Sequence, residues 1–174
     1  MKLSAYLLLF AAAAVERPAG ESLAAFAKRL TPAGRELAHA PLEGAFGPGA
    51  GNVVLLWRKA DAADTNYSGE VLVPAAAGSR SYARHALPPM REIPGHFEIE
   101  VAAVFYANAD RDAALELIVL YSYHRNGSQA DDSHGVSVYD WTGRGFVSLD
   151  VIGGKLAGLD TAAKVRARLR TLTQ

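Results

Sequence analysis

The spacing of apolar residues changes from helical to strand-like near residue 50, and that change organises the chain. From Ser22 onward, Leu23, Phe26, Ala27 and Leu30 fall at i, i+3, i+4 and i+7, with Lys28 and Arg29 off that stripe, which predicts an amphipathic helix. Thr31-Pro32 offers a cap and a first-turn proline for a second short helix, closed by Leu37 and stopped at Pro41. Residues 44–51 hold four glycines and Pro48 and predict a hinge. Beyond it, 53–57 is a continuous apolar run with β-branched residues, and 70–73 a shorter one stopped by Pro74, which together predict a hairpin around a polar loop at 61–68. Residues 81–87 form a weaker strand that Pro88, Pro89 and Pro94 confine to an edge or an irregular crossing. Four stronger strands follow at 97–107, 115–124, 136–141 and 145–151, the last two joined through Thr142-Gly143-Arg144, in the order of an antiparallel meander.

Within 115–124, Leu115, Leu117, Val119, Tyr121 and Tyr123 share one face and Glu116, Ile118, Leu120, Ser122 and His124 the other. At the end of the chain Asp160 can cap a helix with Ala162, Val165, Leu169 and Leu172 on one face. The alternation of Val165, Ala167 and Leu169 with Arg166, Arg168 and Arg170 also fits a half-buried strand, but the cap and the good helix formers favour the helix. The expected fold class is therefore α+β: an antiparallel β-meander, a single propeller-blade-like sheet, with N-terminal and C-terminal helices.

The first residues carry a different signal. Met1-Lys2 supplies one positive charge, 3–14 is apolar apart from Ser4, and Ala12-Ala13-Ala14 places small residues where a signal peptidase reads. The expected organisation is a signal peptide at 1–14, a helical segment and Gly-rich hinge at 15–51, and an antiparallel β domain with its C-terminal helix at 52–174. The apolar run is too short to span a bilayer, which takes roughly 20 residues, so the expected compartment is the periplasm or the medium, with no membrane span.

Composition narrows the chemistry. Lys plus Arg and Asp plus Glu are both 18, so the formal net charge is zero and nothing recommends nucleic acid as a partner. The absence of cysteine removes disulfides, thiolate zinc sites, a Cys nucleophile and a lipidated Cys. There is no Gly-x-Ser-x-Gly elbow, no phosphate loop and no dinucleotide fingerprint.

One segment carries ligand chemistry. Residues 108–116 read Asn-Ala-Asp-Arg-Asp-Ala-Ala-Leu-Glu, with side-chain oxygens at relative positions 1, 3, 5 and 9. A tight loop with alternating oxygen-bearing residues turns them inward, and a hard cation such as Ca²⁺ takes six to eight oxygens, including a backbone carbonyl that Ala114 would supply. Followed by Leu117-Ile118-Val119, the segment resembles the Asp-x-Asp-x-Asp-Gly-x-x-Asp loop and apolar strand of FG-GAP/VCBS-like repeats, as in the integrin α-chain propeller and many bacterial exported proteins. That resemblance implies a calcium loop at a β-hairpin with Asn108, Asp110, Asp112 and Glu116 as ligands. Ala113 stands at the position of the family glycine and would take a left-handed backbone at a cost of about 1 kcal/mol. With Asn108 replacing a carboxylate, the expected affinity is that of extracellular calcium modules, on the order of 10⁻⁴ to 10⁻³ M. A hairpin turn held only by Asx-type hydrogen bonds is the metal-free alternative. No second copy of the loop occurs, and typical propellers need at least four blades, so a blade-like meander in one domain is expected instead.

The polar stretch 124–134, with His124, Asp131, Asp132 and His134, is longer than a hairpin needs and could bind zinc or serve as an acid/base pair. His85 and His96 are isolated. The tyrosines and tryptophans invite a glycan-binding reading, though a tyrosine pair beside three aliphatics in one strand fits a core better. The leading expectation is a small exported, non-enzymatic binding or accessory domain, calcium-stabilised, with an unidentified protein or glycan partner. The alternatives are an exported metal-dependent hydrolase using 124–134, and an inhibitor or adaptor that inserts that loop into a partner.

Overall fold

The computed structural model describes residues 14–60, 67–90, 97–125 and 133–173. Strand β1 (Val15–Glu16) precedes helix α1 (Leu23–Leu30), then β2 (Arg35–Leu37), β3 (Leu42–Phe46), β4 (Gly49–Lys59), β5 (Ser68–Pro74) and β6 (Ser81–Ala86). After these come β7 (Phe97–Ala107), β8 (Glu116–Arg125), β9 (Ser133–Trp141), β10 (Phe146–Ser148), α2 (Asp150–Leu156) and α3 (Ala162–Leu172). Strands β1, β6, β5, β4 and β2 lie side by side, with β3 also on β4, in a six-stranded antiparallel sheet curled into a half-barrel. The expected meander forms a four-stranded sheet of its own in the order β10-β9-β8-β7.

Three apolar clusters stack these elements in four layers. Phe26 and Ala27 of α1 pack on Val53, Leu55 and Trp57 of β4, with Leu72 and Tyr82. The opposite faces of the same strands, Val54, Leu56 and Val71, meet Leu117, Val119, Tyr121 and Tyr139 of the second sheet. Its far face, Phe105, Ile118, Leu120, Val136 and Val138, is covered by Leu156 of α2 and by Val165 and Leu169 of α3. This is why 53–57 and 117–121 read as unbroken apolar runs: β4 and β8 are buried on both faces, so neither needs a polar alternate. Each such side chain contributes on the order of 2 kcal/mol by leaving water.

Helix α1 begins where its apolar stripe says it should, the Ser22 hydroxyl accepting from the Ala25 N–H at 3.1 Å. The 31–37 segment is a correction. Its residues form a turn and strand β2, because Leu37 gains a ladder beside Trp57 of β4 that a lone helical turn could not offer. The glycine-rich stretch is likewise no hinge; it is the β3–β4 hairpin, turned at Gly47 (φ +50), and the anticipated 51/52 boundary falls inside β4. Helix α3 is capped by Thr161, whose hydroxyl accepts from Lys164 N–H, while Asp160 pairs with the Lys164 ammonium at 2.8 Å. The residues named for its face, Val165 and Leu169, are buried, with Ala162 and Leu172 packed beside them.

The strand expected at 145–151 ends at Ser148, and Asp150 instead opens helix α2, against which its two glycines in seven residues argue. Gly153 is explained by packing, for a Cβ there would lie 2.6 Å from the Val136 carbonyl oxygen of β9. Gly153→Ala should therefore lower stability by about 1–3 kcal/mol, as measured by urea unfolding, whereas Gly154→Ala, with nothing within 4 Å of its Cβ, should leave it equal or higher.

Candidate metal centre

Residues 108–115 connect β7 to β8, and each short polar side chain ties the backbone just ahead of it. Asn108 Oδ1 accepts from the Arg111 N–H (3.2 Å), Asp110 Oδ1 from the Asp112 N–H (3.1 Å), and Asp112 Oδ1 from the Ala114 N–H (2.6 Å). These are Asx turns in series, and they wind the loop tightly. Asn108 Nδ2 donates back across the coil to the carbonyls of Asp112 and, at 3.5 Å, Ala114. The left-handed residue is Arg111 (φ 82), two positions before the Ala113 that family spacing would choose. The Asn108 bond to the Arg111 N–H bends the chain early, so Ala113 keeps an ordinary backbone.

Two contacts anchor the loop to the rest of the fold. Gly47 N–H of the β3–β4 turn donates to the Leu115 carbonyl at 3.0 Å, and Arg111 Nη2 reaches the Leu172 carbonyl at the end of α3. Ala109 is buried within the cluster beneath α3.

Glu116 is the first residue of β8 and belongs to the face that carries Ile118 and Leu120 toward the helices. It is only 1% exposed. One carboxylate oxygen, Oε2, accepts from the Ala109 N–H, while Oε1 is buried and has no hydrogen-bond partner among the described residues. Asp110, Asp112 and Glu116 each bring an oxygen within 4.8 Å of the others, a group that could hold a metal ion. Of the five positions named from sequence, the fold thus gathers these three carboxylates. Asn108 and the Ala114 carbonyl are engaged with each other inside the loop, the carbonyl keeping a second lone pair.

One acidic neighbour was missed in the sequence. The β8–β9 register pairs Leu117 with Tyr139, and one step further it sets Asp140 across from Glu116. Burial, then the charges of Asp110, Asp112 and Asp140, push the Glu116 carboxyl up to about 7 against the opposing Ala109 hydrogen bond. Burial also raises the Asp140 carboxyl, its hydrogen bond from the Trp141 backbone opposing and the Asp110 and Asp112 charges adding to it. Among the described residues no Lys or Arg forms an ion pair with any of the four.

The other candidates fare differently. His134 sits in β9, its carbonyl accepting from the Gly158 N–H, and His124 is near the far end of β8, eight residues from Glu116 and so about 26 Å away. Residues 126–132, including Asp131 and Asp132, and His96 lie outside the described residues, as do residues 1–13 of the expected signal peptide. The aromatic candidates are core: Trp57, Tyr67, Tyr121 and Tyr139 are buried, and Tyr67 donates its hydroxyl hydrogen to Ser137 Oγ at 2.9 Å between the sheets. His85 stands edge-on to Trp141, and burial lowers its pKa. No helix among the described residues is long and apolar enough to cross a membrane. Compared with known proteins, the chain matches no family model, no curated protein and no solved structure.

The shift at Glu116 has a sign that can be tested in metal-free protein. Its carboxyl holds a proton in the folded state up to about pH 7 but sheds it near 4.5 when exposed, so the native state binds the extra proton between those values. Stability from this group is complete below about pH 4.5 and is lost as pH rises through about 7. In a chelator, the melting temperature should fall between these values, and Glu116→Gln should flatten the fall; an unchanged slope in the variant would contradict the burial of this charge.

Proposed function

We propose that the 108–116 loop binds Ca²⁺ and that the protein is a small exported, non-enzymatic binding or accessory module whose fold the ion braces. The observation that carries this reading is the buried Glu116 Oε1, which has no hydrogen-bond partner among the described residues and belongs to a carboxylate that converges with those of Asp110 and Asp112. A carboxylate removed from water needs hydrogen bonds or an opposing charge, and here only one hydrogen bond is supplied. Oxygen-only donors in a wound loop suit a hard cation, and calcium tolerates the irregular geometry that magnesium does not. Asp110, Asp112 and Glu116 would hold the ion directly, with the Ala114 carbonyl and water completing its oxygens.

The placement of the loop supports the FG-GAP-like comparison as well. It joins two strands of a four-stranded antiparallel meander and leads into a buried strand, which is the setting that the resemblance implies. Its ties to the β3–β4 turn and to the end of α3 mean that ordering the loop would stiffen the contact between the two sheets and the C-terminal helix.

The test is the melting temperature of the protein in EDTA and across a calcium series with magnesium as control. With a dissociation constant near 10⁻⁴ M, about 10 mM calcium should add about 2.7 kcal/mol and raise the melting point by several degrees. Magnesium should do much less, and the Asp110→Asn/Asp112→Asn double variant should not respond. A flat calcium series would leave the loop an Asx-bonded turn and remove the calcium role.

A further inference from the structure

We propose that Asp140 is a positioning residue of this cation site: from β9 it holds a water ligand of the ion bound at Asp110, Asp112 and Glu116 and supplies the fourth negative charge that makes the site discriminate by ionic charge. The inference rests on the calcium reading above and extends it to a strand that the loop motif does not contain.

Geometry is its basis. Asp140 and Glu116 each lie one residue beyond the last pair of the β8–β9 ladder, Leu117 with Tyr139, so by alternation both side chains leave the sheet on the face that carries Ile118 with Val138 and Leu120 with Val136. Opposed residues have Cβ atoms about 5 Å apart, and like charges in that relation are destabilising unless something positive stands between them. Among the described residues nothing does: the loop's own Arg111 is directed to the Leu172 carbonyl, and the ion pairs of the protein lie elsewhere. Asp140 is outside the three-residue group whose oxygens lie within 4.8 Å of one another, so the role open to it is that of an outer carboxylate acting through a water ligand rather than of a direct ligand. It is half-buried and accepts a hydrogen bond from the Trp141 backbone, so its orientation is held while lone pairs remain for a water. With Asn108 neutral, three loop carboxylates alone make a weak, low-charge site, and Asp140 restores the charge that the loop lacks.

The experiment uses the full-length protein with Ca²⁺ and Tb³⁺ as probes, the latter followed by its luminescence, in wild type, Asp140→Asn and Asp112→Asn. Asp140→Asn should raise the calcium dissociation constant about tenfold or more, the usual cost of losing an outer-shell partner. It should also reduce the preference for Tb³⁺ over Ca²⁺, and the decay measured in H₂O against D₂O should show a change in the waters held on Tb³⁺. In EDTA the same variant should melt no lower than wild type, because it relieves a like-charge contact, whereas a merely structural aspartate would cost stability with and without metal. Asp140→Glu, which keeps the charge, should retain binding and serves as the test if the Asn variant does not fold. Asp140→Asn with wild-type affinity and ion preference, beside an impaired Asp112→Asn, would overturn this proposal alone. Wild-type protein that binds neither ion would overturn the calcium reading and this proposal with it.

Discussion

Strand β8 lies between two packed layers, and its double burial leaves little freedom to the groups at its ends. Residues Leu117 to Tyr121 are taken up alternately by the first sheet and by helices α2 and α3, so the register of the strand is set by five successive buried side chains. A shift of one residue would reverse every one of them. Glu116, the next residue back, has to follow the same alternation, and it is buried on the face of β8 that carries Ile118 and Leu120.

The loop completes what the strand begins. Its Asx turns hold Asp110 and Asp112 on the side where Glu116 emerges, and β9 brings Asp140, one residue beyond the Leu117–Tyr139 pair, to the neighbourhood from some two dozen residues away. Buried Glu116 then shares one corner with the exposed carboxylates of Asp110 and Asp112 and the half-buried Asp140, with one backbone hydrogen bond to Glu116 and no basic partner among the described residues. Such a corner can be relieved by a proton or by a cation, and the two compete for the same oxygens. Gly47 of the first sheet and Leu172 at the end of α3 are both hydrogen-bonded to this loop, so it sits at the junction of both sheets with the last helix.

How much of this could be read in advance depended on how local the cause was. The stripe Leu23, Phe26, Ala27 and Leu30 specified α1, and the faces of β8 followed from strict alternation, because those patterns record burial residue by residue. The 31–37 segment misled because Thr-Pro is a good helix start only when no strand competes, and β4 offered Leu37 and its neighbours a ladder. The glycines of 44–51 marked a change of direction but not its kind, since a hinge and a tight hairpin both need left-handed backbone. At the loop, the three carboxylates were visible from their spacing, but the left-handed residue was misplaced to Ala113, because the early bend comes from the Asn108 side chain bonding the Arg111 N–H rather than from glycine's freedom.

By itself the sequence determined which segments are apolar on both faces, that the last strands run as a meander, and that three acidic side chains recur within nine residues. Those are properties of neighbours along the chain. Only the tertiary structure decided that the early strands form a separate sheet, that α2 can tolerate two glycines because one of them rests on the Val136 carbonyl, and that Asp140 comes one residue past the Leu117–Tyr139 pair, on the face of Glu116. It also decided that Glu116 is buried with one oxygen unbonded among the described residues, since that depends on the layers packed on both faces of β8 from elsewhere in the chain. Spacing can propose an acidic loop, but the pressure on its charges comes from layers that the loop itself does not contain.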